Sequence, residues 1–564
     1  MRSLAACCFC LALVAQPVAQ EASAATPEEP EASLEDLRAF EAWVSDYSAG
    51  AFRLMRAGED DAAALAEVDR IMGALAKWDT MIAARKLFVA ATLHPDLPGA
   101  ASSTERVTFF RELQPWKVRA MARRHIAAMT AEGLDAWLEA KLDGAFGDAN
   151  AGDERAISAT LRILGARGTM SGLIALIRAT GKLSREQRVK AVNALSQVAT
   201  TEAAPQFLRL LRDVEPNVRI AALNALGKAL GPVVQEPHEQ PLDAETVKLR
   251  DQVLKRMGSV LRTDKIWQVR AAAAENLARM RTKFAIPILI AGLKGELRRD
   301  KDPWAMDLRM HRLLEGMTGQ KILAGDAKQW ERFWRENGDR FAFAPEGVAA
   351  PQAASGATKY EKFFNLDLES DRLLFVLDFS GSMAEKVALS ATTTGAKAGE
   401  QVTKARLVVE ELKKIVMSLS DGSVFNVIVF GDEVRVWRQR RDGRPDLVHI
   451  NDETRDDLLG SYLDSLRPAG ATNLYGALSM ALDFQGRGLH DKYYELGFDT
   501  VYIMSDGEPS WGEVIDTDEI LEKVRTANAL KRLTLNTITF GDKNEMVFLK
   551  RLAEENGGRH IHVE

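Results

Sequence analysis

The sequence predicts two architectures in one chain, an all-α solenoid followed by a doubly wound, mostly parallel α/β sheet. Three observations lead there. Apolar residues keep helical spacing from about Ser33 to Asn337, with no convincing strand. Within that region a ten-residue pattern recurs: "QRVKAVNALS" from Gln187, "VRIAALNALG" from Val218, 31 residues on, and "VRAAAAENLA" from Val269, a further 51 on. Beyond residue 359, short apolar runs alternate with amphipathic helices, the pattern of a parallel sheet covered on both faces.

With 564 residues the chain exceeds one core, and about two to four domains are expected. The predicted order is an export signal (1–24), an acidic tether (25–32), a helical N-terminal region (33–150), the α-solenoid (151–342), a linker (343–359) and the α/β domain (360–564). Arg2, the uncharged run Leu4 to Val14, Pro17 and the small residues Ala22-Ser23-Ala24 form the signal. All three cysteines, Cys7, Cys8 and Cys10, lie inside it. The mature chain is thus expected to lack disulfides, cysteine-bound zinc and thiol chemistry. "LAAC" ending at Cys7 has the form of a lipoprotein cleavage site, but the apolar run before it is too short. No later run approaches the ~20 residues of a membrane span. An exported protein is expected: periplasmic, cell-surface or secreted. The net charge of −6 gives no electrostatic reason to expect nucleic acid.

The first helix is expected near Ser33, with Ser33-x-x-Asp36 as a capping box and Leu34, Leu37, Phe40, Val44 and Tyr47 on one face. In the repeats a second apolar helix follows each copy, "APQFLRLLRD" and "AIPILIAGLKGE", and a weaker fourth copy ends in Leu164-Gly165. The insertion "VVQEPHEQPLDAET" lengthens one unit. Two helices per period indicate stacked units whose alanines allow close approach. In "V-R-x-A-A-x-x-A-L" and its following helix, the units resemble HEAT repeats from about Gly152 to Lys294. "FAPEGVAAPQAASGATK" has linker composition. The strands are expected at Leu373–Leu377, Val424–Phe430, Val501–Met504 and Leu533–Phe540, and "FGDEVRVW" predicts a short antiparallel edge strand.

Ligands of open α/β sheets sit at the carboxyl ends of the strands. Three such positions carry oxygen donors: Asp378-Phe379-Ser380-Gly381-Ser382, Gly470-Ala471-Thr472-Asn473 and Ser505-Asp506-Gly507. Asp378, Ser380, Ser382, Thr472 and Asp506 make a hard-cation set, suited to Mg²⁺, Mn²⁺ or Ca²⁺ and not to zinc or copper. Two carboxylates only neutralise a divalent ion. Such an ion recruits an anionic oxygen from outside, and a carboxylate of a partner protein is the natural candidate.

Asp-x-Ser-x-Ser, then a distant Thr, then Asp-Gly resembles the metal-ion-dependent adhesion site of von Willebrand factor type A domains, over about Phe363 to Glu564. The resemblance implies Ser380, Ser382 and Thr472 as direct ligands, with Asp378 and Asp506 as charge partners bound directly or through water. Two departures from the family pattern stand out. The small polar insertion at 384–401 leaves from the metal loop and is expected to be mobile. It either lids the site, helps choose partners, or is a tolerated insertion. The chain ends on the last strand, "GGRHIHVE", where the family usually adds a helix.

Other motifs carry less. His560 and His562 alternate along a strand without a third ligand nearby. Asp516 and Gly541 begin helices. "NDETRDD" lacks the Gly and terminal Glu of a calcium loop. No G-x-S-x-G elbow surrounds Ser380 or Ser382. His490 reads as a surface residue, and Trp330 and Trp334 as packing. The expected function is non-enzymatic: metal-dependent capture of an acidic group on a partner protein. The alternative is an envelope scaffold in which the solenoid binds and the α/β domain docks. A hydrolase using the ion as Lewis acid lacks a general base by motif.

Overall fold

The computed structural model describes residues 31–49, 61–93, 115–146, 154–198, 200–238, 240–299, 305–322, 326–343, 362–363, 366–367, 370, 372–388, 401–419, 423–439, 446–483, 498–540 and 547–563. The expected signal, most of the tether and linker, residues 389–400 of the insertion, His490 and Gly541 lie outside them.

The N-terminal part is helical throughout its described length. Helices α1 (Glu31–Ser48), α2 (Asp61–Ala76), α3 (Met81–Thr92), α4 (Pro115–Ala128) and α5 (Leu134–Phe146) lead into α6 (Glu154–Arg167), α7 (Met170–Lys182), α8 (Arg185–Val198), α9 (Ala204–Leu210), α10 (Pro216–Val234), α11 (Ala244–Thr263), α12 (Trp267–Arg279), α13 (Ala285–Glu296), α14 (Ala305–Thr318) and α15 (Ala327–Asn337). The first of these corrects an expectation. Ser33 lies inside α1, which starts at Glu31, so the proposed capping box does not begin the helix.

The recurring pattern falls on α8, α10 and α12, which pack side by side with α4 and α6 as successive rungs. One continuous apolar core runs through the helical part, from Phe40 to Phe343. Close approach needs small residues. A Cβ on Gly165 would stand 2.8 Å from the carbonyl oxygen of Ala194, and one on Gly227 would strike Asn276. The arginine of the pattern does the same work in each copy. Arg188 pairs with Asp213 at 2.7 Å and Arg219 with Asp264 at 2.9 Å. Arg270, fully buried, forks onto Glu296 at 2.8 and 3.1 Å and also donates to the carbonyl of Asp264 at 3.0 Å. Each guanidinium therefore neutralises an acid of its own repeat or the next, and those of Arg219 and Arg270 also satisfy carbonyls ahead of their helices. Trp330 packs as expected: it is buried, and its Nε1 donates to His311 Nδ1 at 2.9 Å.

The C-terminal part is a sheet between two helical layers. Its strands are β3 (Arg372–Asp378), β6 (Val424–Phe430), β7 (Val434–Val436), β8 (Val448–His449), β9 (Thr500–Ser505), β10 (Thr534–Phe540) and β11 (His560–Val563). Two small pairs flank it, β1 (Lys362–Phe363) with β2 (Leu366–Asp367) and β4 (Lys386–Ala388) with β5 (Gln401–Thr403). The order is β11-β10-β9-β3-β6-β7, with β8 also on β6. The five strands from β11 to β6 are parallel, and β7 and β8 run antiparallel to β6. Both faces are covered. Leu373, Phe375 and Leu377 point to one apolar layer and Leu374 and Val376 to the other. The first layer holds α16 (Lys404–Ser418) and α17 (Asp452–Asp457); the second holds α18 (Leu474–Asp483), α19 (Thr517–Lys531) and α20 (Val547–Glu554). Helix α16 starts at Lys404, past the end of the 384–401 insertion. Val402 itself pairs with Val387, so the ends of the 384–401 insertion are strands.

Helix α19 seats the sheet domain across the helical rungs. Lys117 pairs with Asp516 at 2.8 Å and Arg162 reaches Glu522 at 3.4 Å. Past its last turn, Arg532 adopts left-handed backbone, φ 61°, and sends its guanidinium to Asn224 and Glu275. Arg309 holds the same Glu275 at 2.6 Å and donates to the Arg532 carbonyl at 2.8 Å. Burial raises the carboxyl of Glu275, but Arg532 and Arg309 outweigh it and hold the group below its usual range.

Candidate metal centre

Strand β3 carries five buried apolar residues to Asp378, which has no exposed surface. Its Oδ1 accepts the amide of Ser380 at 2.8 Å, the turn that follows an Asp at a strand end. Its Oδ2 accepts the Ser505 hydroxyl at 2.5 Å. The loop then presents two hydroxyls side by side, Ser380 Oγ and Ser382 Oγ, 3.1 Å apart. Ser382 Oγ donates to Asp506 Oδ1 at 2.8 Å, joining the end of β3 to the end of β9.

Thr472 arrives from a third loop. Gly381 donates its amide to the Gly470 carbonyl at 2.9 Å, and Ala469 donates to the Phe379 carbonyl at 2.8 Å. Gly470 has φ +78°, and a side chain there would strike Asp432 at 2.6 Å, so glycine is required. The Ser510 hydroxyl receives the Thr472 amide at 3.0 Å. The cap of α18 is Asn473, whose Oδ1 accepts from Gly476 at 3.0 Å. Thr472 is therefore left to the loop cluster rather than to capping. All five residues singled out from the sequence stand at the carboxyl edge of the sheet, and four of them are joined by the hydrogen bonds just described.

Three residues there have no motif to announce them. Ser505 orients Asp378. Lys404, the first residue of α16, is buried and places its Nζ 2.8 Å from Asp506 Oδ2 and 2.7 Å from Glu385 Oε2. The pairing of β4 with β5 makes this possible, since Lys404 donates its backbone amide to the Glu385 carbonyl at 2.9 Å.

Charge at this edge is unevenly answered. Burial pushes the Asp378 carboxyl up to about 6, with Asp506 adding to the rise against the bonds from Ser505 and Ser380. Burial opposes the charge on Lys404, but its bonds to Asp506 and Glu385 hold the ammonium above its usual range. One positive charge already answers Asp506, while Asp378 has hydroxyl and amide donors only. Two carboxylates with clustered hydroxyls fit a small hard cation. Among the described residues, this edge included, no group of three or more His, Cys, Asp or Glu converges. His560 and His562 both reach the Thr539 hydroxyl, at 3.5 and 3.2 Å, as a strand-side pair. Asp516 caps α19, accepting from Glu519 at 2.8 Å. No helix among the described residues is long and apolar enough to cross a membrane.

Comparison with known proteins agrees with this architecture. Residues 395–561 match the von Willebrand factor type A domain, and residues 204–230, over α9 and α10, match the HEAT repeat. The first match starts beyond Ser382 and does not include the Asp378 loop. Inter-alpha-trypsin inhibitor heavy chain H1 of Sus scrofa is 31% identical over 196 residues, 35% of this chain and 19% of that protein. Heavy chain H4 of Homo sapiens is 30% identical over 195 residues, 34% of this chain and 18% of that protein. The chain thus spans under a fifth of the length of these curated relatives. A solved von Willebrand factor type A protein from Catenulispora acidiphila is 17% identical, with a TM-score of 0.26, over 34% of this chain and 38% of that one. The chain carries a von Willebrand factor type A domain, joined to helices that include a HEAT repeat.

Proposed function

We propose that this is an exported, non-enzymatic protein whose type A domain binds a partner protein in a divalent-metal-dependent manner. Residues 151–342 and 360–564 are its two working units. Ser380, Ser382 and Thr472 would hold the ion, with Asp378 and Asp506 supplying the charge. Mg²⁺ is the expected ion, with Mn²⁺ or Ca²⁺ as substitutes. When bound, it supplies an electrophilic centre for an Asp or Glu carboxylate of the partner. The observation that carries this reading is the hydrogen-bonded row Ser380–Ser382–Asp506 beside the buried Asp378. This row pre-orients oxygen donors, which lowers the cost of ordering them around an ion. The similarity to inter-alpha-trypsin inhibitor heavy chains supports an interaction role.

The chain's own residues define the rest of the site. Lys404 cancels one carboxylate, leaving a bound divalent ion short of negative charge and receptive to an outside anion. The helical array is the platform, since α19 is fixed to it along its length. The test is calorimetric titration of Mg²⁺ into the full chain, followed by capture of carboxylate-bearing proteins with and without chelator. Asp506→Ala is expected to abolish both. Capture that persists in Asp506→Ala and in chelator would overturn the reading.

A further inference from the structure

Away from the metal edge, a cleft of about 860 Å³ opens between the helical rungs and the outer face of α19. Its composition is one-sided. Arg123 and Arg124 on α4, Arg162 on α6, Lys190 on α8 and Lys228 on α10 line one wall, at least one cation from each successive rung, and Arg525 of α19 faces them. Glu522 is the carboxylate among the lining residues. It is shared with Arg162 at 3.4 Å, and Arg525 reaches Glu555 at 3.5 Å from outside the lining. Arg124, also in the lining, is held by Asp69 at 2.5 Å, and the lining cations outnumber the lining carboxylate.

Arg123 shows the imbalance most clearly. It is half-buried and has no ion pair among the described residues. Burial lowers its guanidinium to about 10, and repulsion from Arg162 and Arg119 adds to this against the weaker attraction of Glu522. Like charges gathered in a partly desolvated cleft destabilise the fold unless an anion answers them. Packed helices stand about 8–10 Å apart. A single phosphate would therefore meet one rung, whereas linked anionic groups would meet several.

We propose that this interdomain cleft binds a small, multiply charged oxyanion ligand carrying two or three linked phosphate groups. Arginine forks and lysine ammoniums are the donors that such groups select. Because α19 forms the second wall, the ligand would also fasten the type A domain to the helical array.

The test titrates tripolyphosphate into the full chain in the presence of chelator, so that the metal centre plays no part. A parallel arm sediments the chain with vesicles containing a bisphosphorylated phosphatidylinositol. Saturable one-site binding is expected, at least tenfold tighter than that of inorganic phosphate. It should weaken at least tenfold in Arg123→Gln/Lys228→Gln and in Thr526→Glu, and persist in Asp506→Ala. Thr526 is exposed on α19 and lines the cleft, so its variant tests the site without touching a core. Binding in solution alone identifies a free ligand, and vesicle binding displaced by tripolyphosphate identifies a lipid headgroup. Absence of binding in both arms, or affinity unchanged in either cleft variant, overturns the proposal.

Discussion

Asp378 ends a buried apolar strand on a carboxylate with no solvent to share its charge. Its folded pKa, about 6, lies above the ordinary 3.8. Below about pH 4 the group is neutral in both folded and unfolded chains and costs nothing. Between about pH 4 and 6 the folded chain holds more protons, so stability falls as pH rises. Above about 6 the full cost stands, roughly 3 kcal/mol. In chelator, Asp378→Asn should therefore melt higher than the parent at pH 7, with the gap closing toward pH 4. A gap independent of pH would show that the carboxyl titrates normally. Lys404 gives the complementary prediction. Lys404→Met removes a tethered cation from Asp506, so Mg²⁺ should bind about tenfold tighter, a change of ~1.4 kcal/mol, while the metal-free chain loses ~1–3 kcal/mol. Calorimetric titration and melting curves read both, and unchanged Mg²⁺ affinity would mean that the ammonium does not compete. At this scale Asp378, Ser380, Ser382 and Asp506 were legible because each follows a strand, whereas Thr472 comes from a loop between helices and was legible from its place ahead of α18. Ser505, Lys404 and Glu385 were not. A serine inside a strand and a lysine opening a helix are ordinary in sequence and acquire meaning only from what folds beside them.

Among the elements, the helical repeats depend on two devices, a small residue where rungs cross and an arginine that ties successive turns. Gly165 meets a backbone carbonyl that cannot rotate away. Gly165→Val should destabilise the chain by ~1–3 kcal/mol through overpacking, without altering Mg²⁺ binding. Arg270→Ala should cost ~3 kcal/mol, because it removes the two-pronged fork from buried Glu296 and leaves it Arg299 at 3.3 Å. Chemical denaturation checks both, and a loss under 1 kcal/mol for Arg270→Ala would mean that Glu296 finds water. The pattern "V-R-x-A-A" made α8, α10 and α12 readable, and alternating apolar runs made β3, β6, β9 and β10 readable. The start of α1 and the short strands β4 and β5 were missed. Ser33 has the chemistry of a cap, but the helix extends past it. Strands of two or three residues are set by pairing rather than by their own composition.

For the whole molecule, the join between the two parts rests on α19 and on Arg532. That residue accepts left-handed backbone, which costs ~1 kcal/mol for a side chain other than glycine, and places a buried guanidinium between Asn224 and Glu275. Arg532→Ala should loosen the join. A calorimetric scan of the variant is expected to separate into two transitions where the parent shows one, with Mg²⁺ binding retained. A single transition at the parent temperature would show that the lysine and arginine contacts of α19 suffice.

The sequence by itself determined what each segment becomes and where the metal donors fall, because period, composition and strand ends are local properties. Only the tertiary structure decided that Asn224 and Glu275, equivalent positions of two repeats, face the same arginine. It alone brought a lysine to Asp506 and gathered cations from four rungs into one cleft. These depend on which helix faces meet. A helix's outer face carries the same charged residues whether it is bathed in water or pressed against a neighbour, so its sequence does not distinguish the two.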